Sequence, residues 1–158
     1  FDALWISGPG HTPGGGDTLR PAWHADALRM LAGWPRVGRE IDDKTLPQEV
    51  RFDALASVAY DKGCYVGQET VARLHFRGHA NRTLRAVVGQ GVGPASDVAE
   101  DVERKTVGRL TSLARIGSHW MALARVRREV ESGEAVRVGE QEASVRDLPL
   151  TEAMIAGW

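Results

Sequence analysis

The sequence predicts an α+β chain with a helical and irregular first half and a small antiparallel β-structure after it. Two features of the pattern carry this. PAWHADALRMLAGW and GQETVARLHF both read as amphipathic helical stretches. From Arg82 onward the chain breaks into short β-type runs, separated by closely spaced Gly, Ser, Pro and charged turns, the pattern of a small barrel or sandwich. The division drawn from this change of texture runs 1–80 and 81–158.

FDALWIS reads as a strand. It opens on Phe1 rather than methionine, so the chain is expected to be the C-terminal part of a longer protein. GPGHTPGGGDT follows as a glycine-rich connection. It lacks the Lys-Ser/Thr ending of a P-loop and the spacing of a dinucleotide fingerprint. The first helix starts near Pro21, which suits a first turn. Ala22, Ala25, Leu28, Met30, Leu31 and Ala32 give it a mostly apolar face, and Gly33 and Pro35 end it. PRVGREIDDKTLPQEVRFDAL is expected to be irregular, with Pro47 stopping any regular element. A short helix then runs from Gly67 to about Phe76, with Glu69 in its first turn and Arg73 placed to pair with it. TLRAVVGQ, KTVGRLTSL, HWMALARVR, AVRVGE and EASVRDL are the β-type runs, and TEAMIAGW is left to pack back or fray.

Composition narrows the function classes. With 158 residues, 42% of them hydrophobic and 26% charged, the chain is long enough for a buried core. A net charge of −1 argues against direct nucleic-acid binding, a local basic patch apart. One cysteine excludes an intrachain disulfide and cannot by itself hold a zinc or iron–sulfur site. That usage fits a reducing, cytoplasmic setting. No apolar run approaches the roughly 20 residues of a membrane span, and no signal-peptide pattern opens the chain.

The densest stretch is KGCYVGQE, residues 62–69, which holds that cysteine. Lys62 and the helix start near Gly67 both favour the thiolate of Cys64 if its side chain points their way; the plain alternative is a small buried hydrophobe. Gly63 and Gly67 bracket the thiol, as in a tight turn or where backbone comes close to another group. Gln68 and Glu69 add an amide and a carboxylate suited to the N–H and C=O edge of a heterocycle. His75 and His79 have helical metal-ligand spacing, but Gly78 lies between them and no third ligand is evident, so no metal site is expected. Arg73, Arg77, Arg82 and Arg85 form a basic cluster in sequence, either a solvated face or a site for an anion such as a polyglutamate tail or a nucleic-acid phosphate.

DKGCYVGQETVARLHFRG resembles the signature of the YgfZ family, folate-binding proteins of iron–sulfur cluster maturation. Lys62, Gly63, Cys64, Tyr65, Gly67, Gln68, Glu69, Ala72, Arg73, Arg77 and Gly78 stand where that signature has them. Arg29, Gly33, Pro35, Gly38, Asp42, Lys44, Pro47 and Glu49 also match upstream, and VGRLTSL and MALARVR look like strands of the family's last domain. The resemblance spans roughly residues 20 to 147. It implies the end of a ferredoxin-like α+β domain, of the type in the glycine-cleavage T-protein, followed by a C-terminal antiparallel β-barrel. It implies tetrahydrofolate as cofactor and iron–sulfur client or assembly proteins as partners, with a link to tRNA modification. It assigns activity to Cys64 and Lys62, the thiolate handling a sulfur, iron or one-carbon adduct. Gly63, Tyr65, Gly67, Gln68, Glu69, Arg73 and Arg77 become the cofactor contacts. The alternative it leaves is a tetrahydrofolate-dependent aminomethyltransferase like the T-protein. T-proteins typically lack the cysteine motif, and their catalytic aspartate belongs to an N-terminal half absent here.

Overall fold

A computed structural model describes residues 22–151 and Met154. The strand read over FDALWIS, the glycine-rich connection and nearly all of the TEAMIAGW tail lie outside those residues. Helix α1 spans Ala22–Ala32, a 3-10 turn spans Pro47–Val50 and helix α2 spans Gln68–Arg77. Six strands follow: β1 Arg82–Gln90, β2 Val98–Glu100, β3 Thr106–Ile116, β4 His119–Arg127, β5 Ala135–Val138 and β6 Gln141–Arg146. They pair antiparallel in the order β1-β4-β3-β2-β5-β6 and close into a barrel. The α+β class with a small antiparallel barrel is thus the observed one.

Alternation along β4 explains how the barrel joins the rest. Trp120, Ala122, Ala124 and Val126 face a core shared with Val87, Val107, Val136, Val138 and Val145. Met121 and Leu123 belong to a second core, with Leu84, Ala86, Val88, Leu150 and Met30 of α1. A strand buried on both faces reads as a continuous apolar run, which is why WMALA is unbroken. Opposite Trp120 in register stands Gly89. A Cβ there would lie 2.5 Å from the indole, so the wide ring fits only against glycine.

Helix α1 ends as its sequence predicts. Gly33 has φ +70°, its N–H donates to Met30 O at 2.9 Å, and the Trp34 N–H donates to Arg29 O at 2.9 Å, a Schellman cap. The apolar face is narrower than expected, because Leu28 is 60% exposed whereas Met30 is fully buried. Pro47 does not stop regular structure but starts the 3-10 turn, since proline's missing N–H is harmless at a first helical position.

Three polar clamps fasten residues 26–51 to the barrel. Glu40 is fully buried and accepts from Arg29 Nη1 (3.0 Å), the Arg36 N–H (3.0 Å), Thr111 Oγ1 (2.7 Å) and Ser112 Oγ (2.6 Å). Consecutive strand residues ordinarily face opposite ways; a register shift between Leu110 and Ser112 lets both hydroxyls reach one oxygen. Arg125 of β4 donates to Asp42 Oδ2 (3.1 Å) and Thr45 Oγ1 (3.2 Å). Arg51 donates to Gly33 O (3.1 Å) and Leu148 O (2.6 Å).

Candidate functional site

The cysteine turn is presented by α2, and α2 is held by the segment before it. Gln48 Nε2 donates to Val71 O of α2 at 3.0 Å and to the Tyr60 hydroxyl at 3.4 Å. The Tyr60 hydroxyl in turn donates to Asp53 Oδ1. His75 of α2 stacks on Tyr60, with ring centroids 3.8 Å apart and planes 18° apart, and its Nδ1 lies 3.8 Å from Asp53 Oδ2. Phe76 meets both rings edge-on. Burial, and then the Asp53 carboxylate, push the Tyr60 phenol up to about 12. The clamps join residues 26–51 to the barrel and to Leu148 just beyond it, and this aromatic and carboxylate cluster joins that segment to α2.

The turn itself is open. Cys64 is a free, exposed thiol, so the reading as a buried hydrophobe does not hold. Gly67, with φ +85°, is the N-cap of α2, and the Gln68 N–H donates to Tyr65 O at 3.2 Å. A left-handed residue at that corner explains Gly67. Gly63 is not explained in this way: its φ is not positive, and a Cβ on it would meet nothing within 4 Å. Its small size leaves space beside Cys64 that the described residues do not fill. Lys62 points its ammonium at the Tyr65 ring, 4.6 Å from the centroid, a cation–π contact. The Tyr65 hydroxyl and Gln48 Oε1 are both buried without a hydrogen-bond partner among the described residues.

Other predicted contacts separate. The Glu69–Arg73 pair is not formed among the described residues; Glu69, Arg73 and Arg77 are all exposed on α2. Spaced by four residues, they share one helix face. The basic cluster is split, because Arg85 is drawn to Asp147 at 2.9 Å and is largely buried, while Arg82 lies at one end of the barrel with His79. Among the described residues no group of His, Cys, Asp and Glu could hold a metal ion, and His75 is engaged with Tyr60 rather than with His79. Asp42 and Glu49, matched upstream of the motif, shape turns: the Lys44 N–H donates to Asp42 at 3.0 Å and the Leu46 N–H to Glu49 at 3.3 Å. Thr45, the Lys44 N–H and Arg125 hold the Asp42 carboxyl below its usual range. Glu40, Gln48, Asp53 and Tyr60 were not singled out by sequence; none belongs to a local motif, and only their partners across the fold reveal them.

The barrel with its flanking helices is the fold of part of an aminomethyltransferase. The crystal structure of glycine cleavage system aminomethyltransferase T from Bartonella henselae matches 80% of this chain and 38% of its own, with a TM-score of 0.63 and 23% identity. Within that fold class, the chain also has relatives in sequence. The tRNA-modifying protein YgfZ of Serratia proteamaculans is 32% identical over 138 residues, 80% of this chain and 41% of that protein. YgfZ of Cronobacter sakazakii is 31% identical over 122 residues, 73% of this chain and 37% of that protein. YgfZ of Escherichia coli O139:H28 is 37% identical over 79 residues, half of this chain and 24% of that protein. The chain is a relative of the YgfZ proteins, as residues 62–78 predict, and spans at most 41% of the length of these three. No family model matches it. Among the described residues no helix is long and apolar enough to cross a membrane.

Proposed function

We propose that this chain carries the thiol site of a folate-binding accessory protein for iron–sulfur cluster assembly or repair, linked to tRNA modification. The observation that carries the reading is the exposed Cys64 thiol on a turn braced from behind by Gln48, Asp53, Tyr60 and His75. A cysteine kept only for packing has no use for exposure or for open space at Gly63.

The residues present fit tetrahydrofolate. Among the described residues the buried hydroxyl of Tyr65 and Gln48 Oε1 have no hydrogen-bond partner, as expected of groups completed by another molecule or segment. On α2, a carboxylate at Glu69 suits the donor edge of a pterin, and Arg73 and Arg77 further along the same face suit a glutamate tail. Lys62, held over Tyr65, places a positive charge beside the turn. When bound, the cofactor supplies one-carbon chemistry; this chain's residues orient it and present the thiol. The fold of the Bartonella protein favours a second reading, tetrahydrofolate-dependent aminomethyl transfer, and Cys64 argues for the first.

Calorimetry with tetrahydrofolate on this chain and on the full-length protein tests the proposal. Saturable binding by the full-length protein, weakened by Glu69→Gln and by Arg73→Gln, is expected. Binding by neither form would remove folate from the account. Glycine-cleavage activity in the full-length protein would favour the second reading.

A further inference from the structure

The end of the barrel where β1 begins and β4 ends concentrates positive charge. His79, Asn81, Arg82, Arg127, Arg128 and Glu129 line a concave site of about 380 Å³. Arg82 and Arg127 are direct cross-strand partners, and like charges placed opposite one another destabilise an antiparallel pair. Compensation is slight. Arg127 has the Glu129 carboxylate at 3.7 Å, whereas Arg82 and Arg128 have no ion-pair partner among the described residues. The Arg128 N–H donates to Asn81 O at 3.0 Å, which ties the two chain segments together at the mouth. Two opposed arginines with a third beside them leave positive charge that the Glu129 carboxylate offsets only in part, a balance that favours an added anion.

We propose that this mouth binds a phosphate group. Guanidinium forks match phosphate oxygens in pairs. A tetrahedral oxyanion also offers acceptors in several directions at once, which suits a site lined by Arg82, Arg127, Arg128, Asn81 and His79. None of these residues belongs to the 62–69 turn, so the inference stands apart from the folate reading. The phosphate has two possible sources, the backbone of an RNA or a free phosphate compound. The small net charge of the whole chain does not oppose either, because the patch is local.

The test uses the full chain with two probes: an end-labelled RNA dodecamer followed by fluorescence anisotropy, and inorganic pyrophosphate followed by calorimetry. Arg82→Gln/Arg128→Gln is expected to weaken binding of the responding probe by about tenfold or more. If that probe is RNA, the slope of log K against log salt should become shallower by about 0.7, one phosphate contact being lost. Arg115→Gln/Arg137→Gln, with the same change of charge elsewhere on the barrel, should leave binding within about twofold. A response by RNA alone identifies the backbone as source, and a response by pyrophosphate alone identifies a free phosphate compound. Relief of the like-charge pair predicts that the double variant melts no lower than wild type without ligand; if it does not fold, Arg82→Gln alone serves. No saturable binding of either probe, or equal loss in the control variant, overturns the proposal.

Discussion

Replacing Glu40 by leucine removes the acceptor on which four donors converge. The Arg36 N–H then has no partner, Ser112 loses the acceptor for its proton, and Arg29 keeps only Asp26 at 2.8 Å, Trp34 O at 2.6 Å and Ser112 Oγ at 3.0 Å. Thr111 can turn to Leu123 O, already 3.1 Å away. Two orphaned donors at ~1–3 kcal/mol each, and a charge pair broken on one side at ~3–5 kcal/mol, overlap rather than add. The expected loss is about 3–5 kcal/mol, a large part of the ~5–15 kcal/mol that holds a domain together. Glu40→Gln should cost less, about 1–2 kcal/mol, because its amide can donate to the two hydroxyls while its carbonyl accepts from Arg29 and Arg36. Arg29→Met combined with Glu40→Leu should recover at least ~1 kcal/mol relative to Glu40→Leu alone, as the guanidinium left with only the half-exposed Asp26 carboxylate is removed. Urea unfolding followed by circular dichroism reads all three. A Glu40→Leu loss below about 1 kcal/mol, or a Glu40→Gln loss as large as that of leucine, would refute the view that this carboxylate fastens α1 to β3.

Other expectations follow from single contacts. Gly33→Ala sets a Cβ 2.1 Å from Arg51 Nη1 and 2.7 Å from Leu148 Cβ, at φ +70°; a loss of about 2–4 kcal/mol in urea unfolding is expected, and a neutral result would contradict the packing of that cap. Because the Tyr60 phenol is raised from 10.0 to about 12, its contribution to stability is fully present below pH 10 and lost as pH rises through 12. A near-ultraviolet titration should show a late phenol transition that Tyr60→Phe abolishes; its survival in the variant would assign it elsewhere. Cys64 should react with a thiol reagent in the folded protein without denaturant, and a reaction that appears only on unfolding would contradict the exposed turn.

What was legible in the sequence was what local pattern can encode. Gly33 and the apolar residues before it predicted α1 and its cap, Gly67 predicted the corner ahead of α2, and five strands stood out by their β-branched runs. Strand β2 did not, because Val98–Glu100 is three residues long and set among turn formers; its neighbours β3 and β5 make it a strand. Leu28 looked like core because helical spacing cannot tell which flank of an apolar stripe meets the sheet. The motif singled out Cys64 but not its support. Glu40 meets Thr111 and Ser112 from 71 and 72 residues away, and Arg51 meets Leu148 from 97 away. No spacing rule reaches that far. The expected grouping of Arg85 with Arg82 failed for a related reason: Asp147, distant in sequence, is its neighbour in space.

The most direct test of the account is complementation of a bacterial strain lacking its own YgfZ, using the full-length protein as wild type and as Cys64→Ser, with iron–sulfur enzyme activity and tRNA modification as readouts. Serine keeps the size and the turn but removes the thiol. Restoration by the wild type and failure of Cys64→Ser at equal protein levels is the predicted result. Full restoration by Cys64→Ser would contradict the claim that the exposed thiol is the working group.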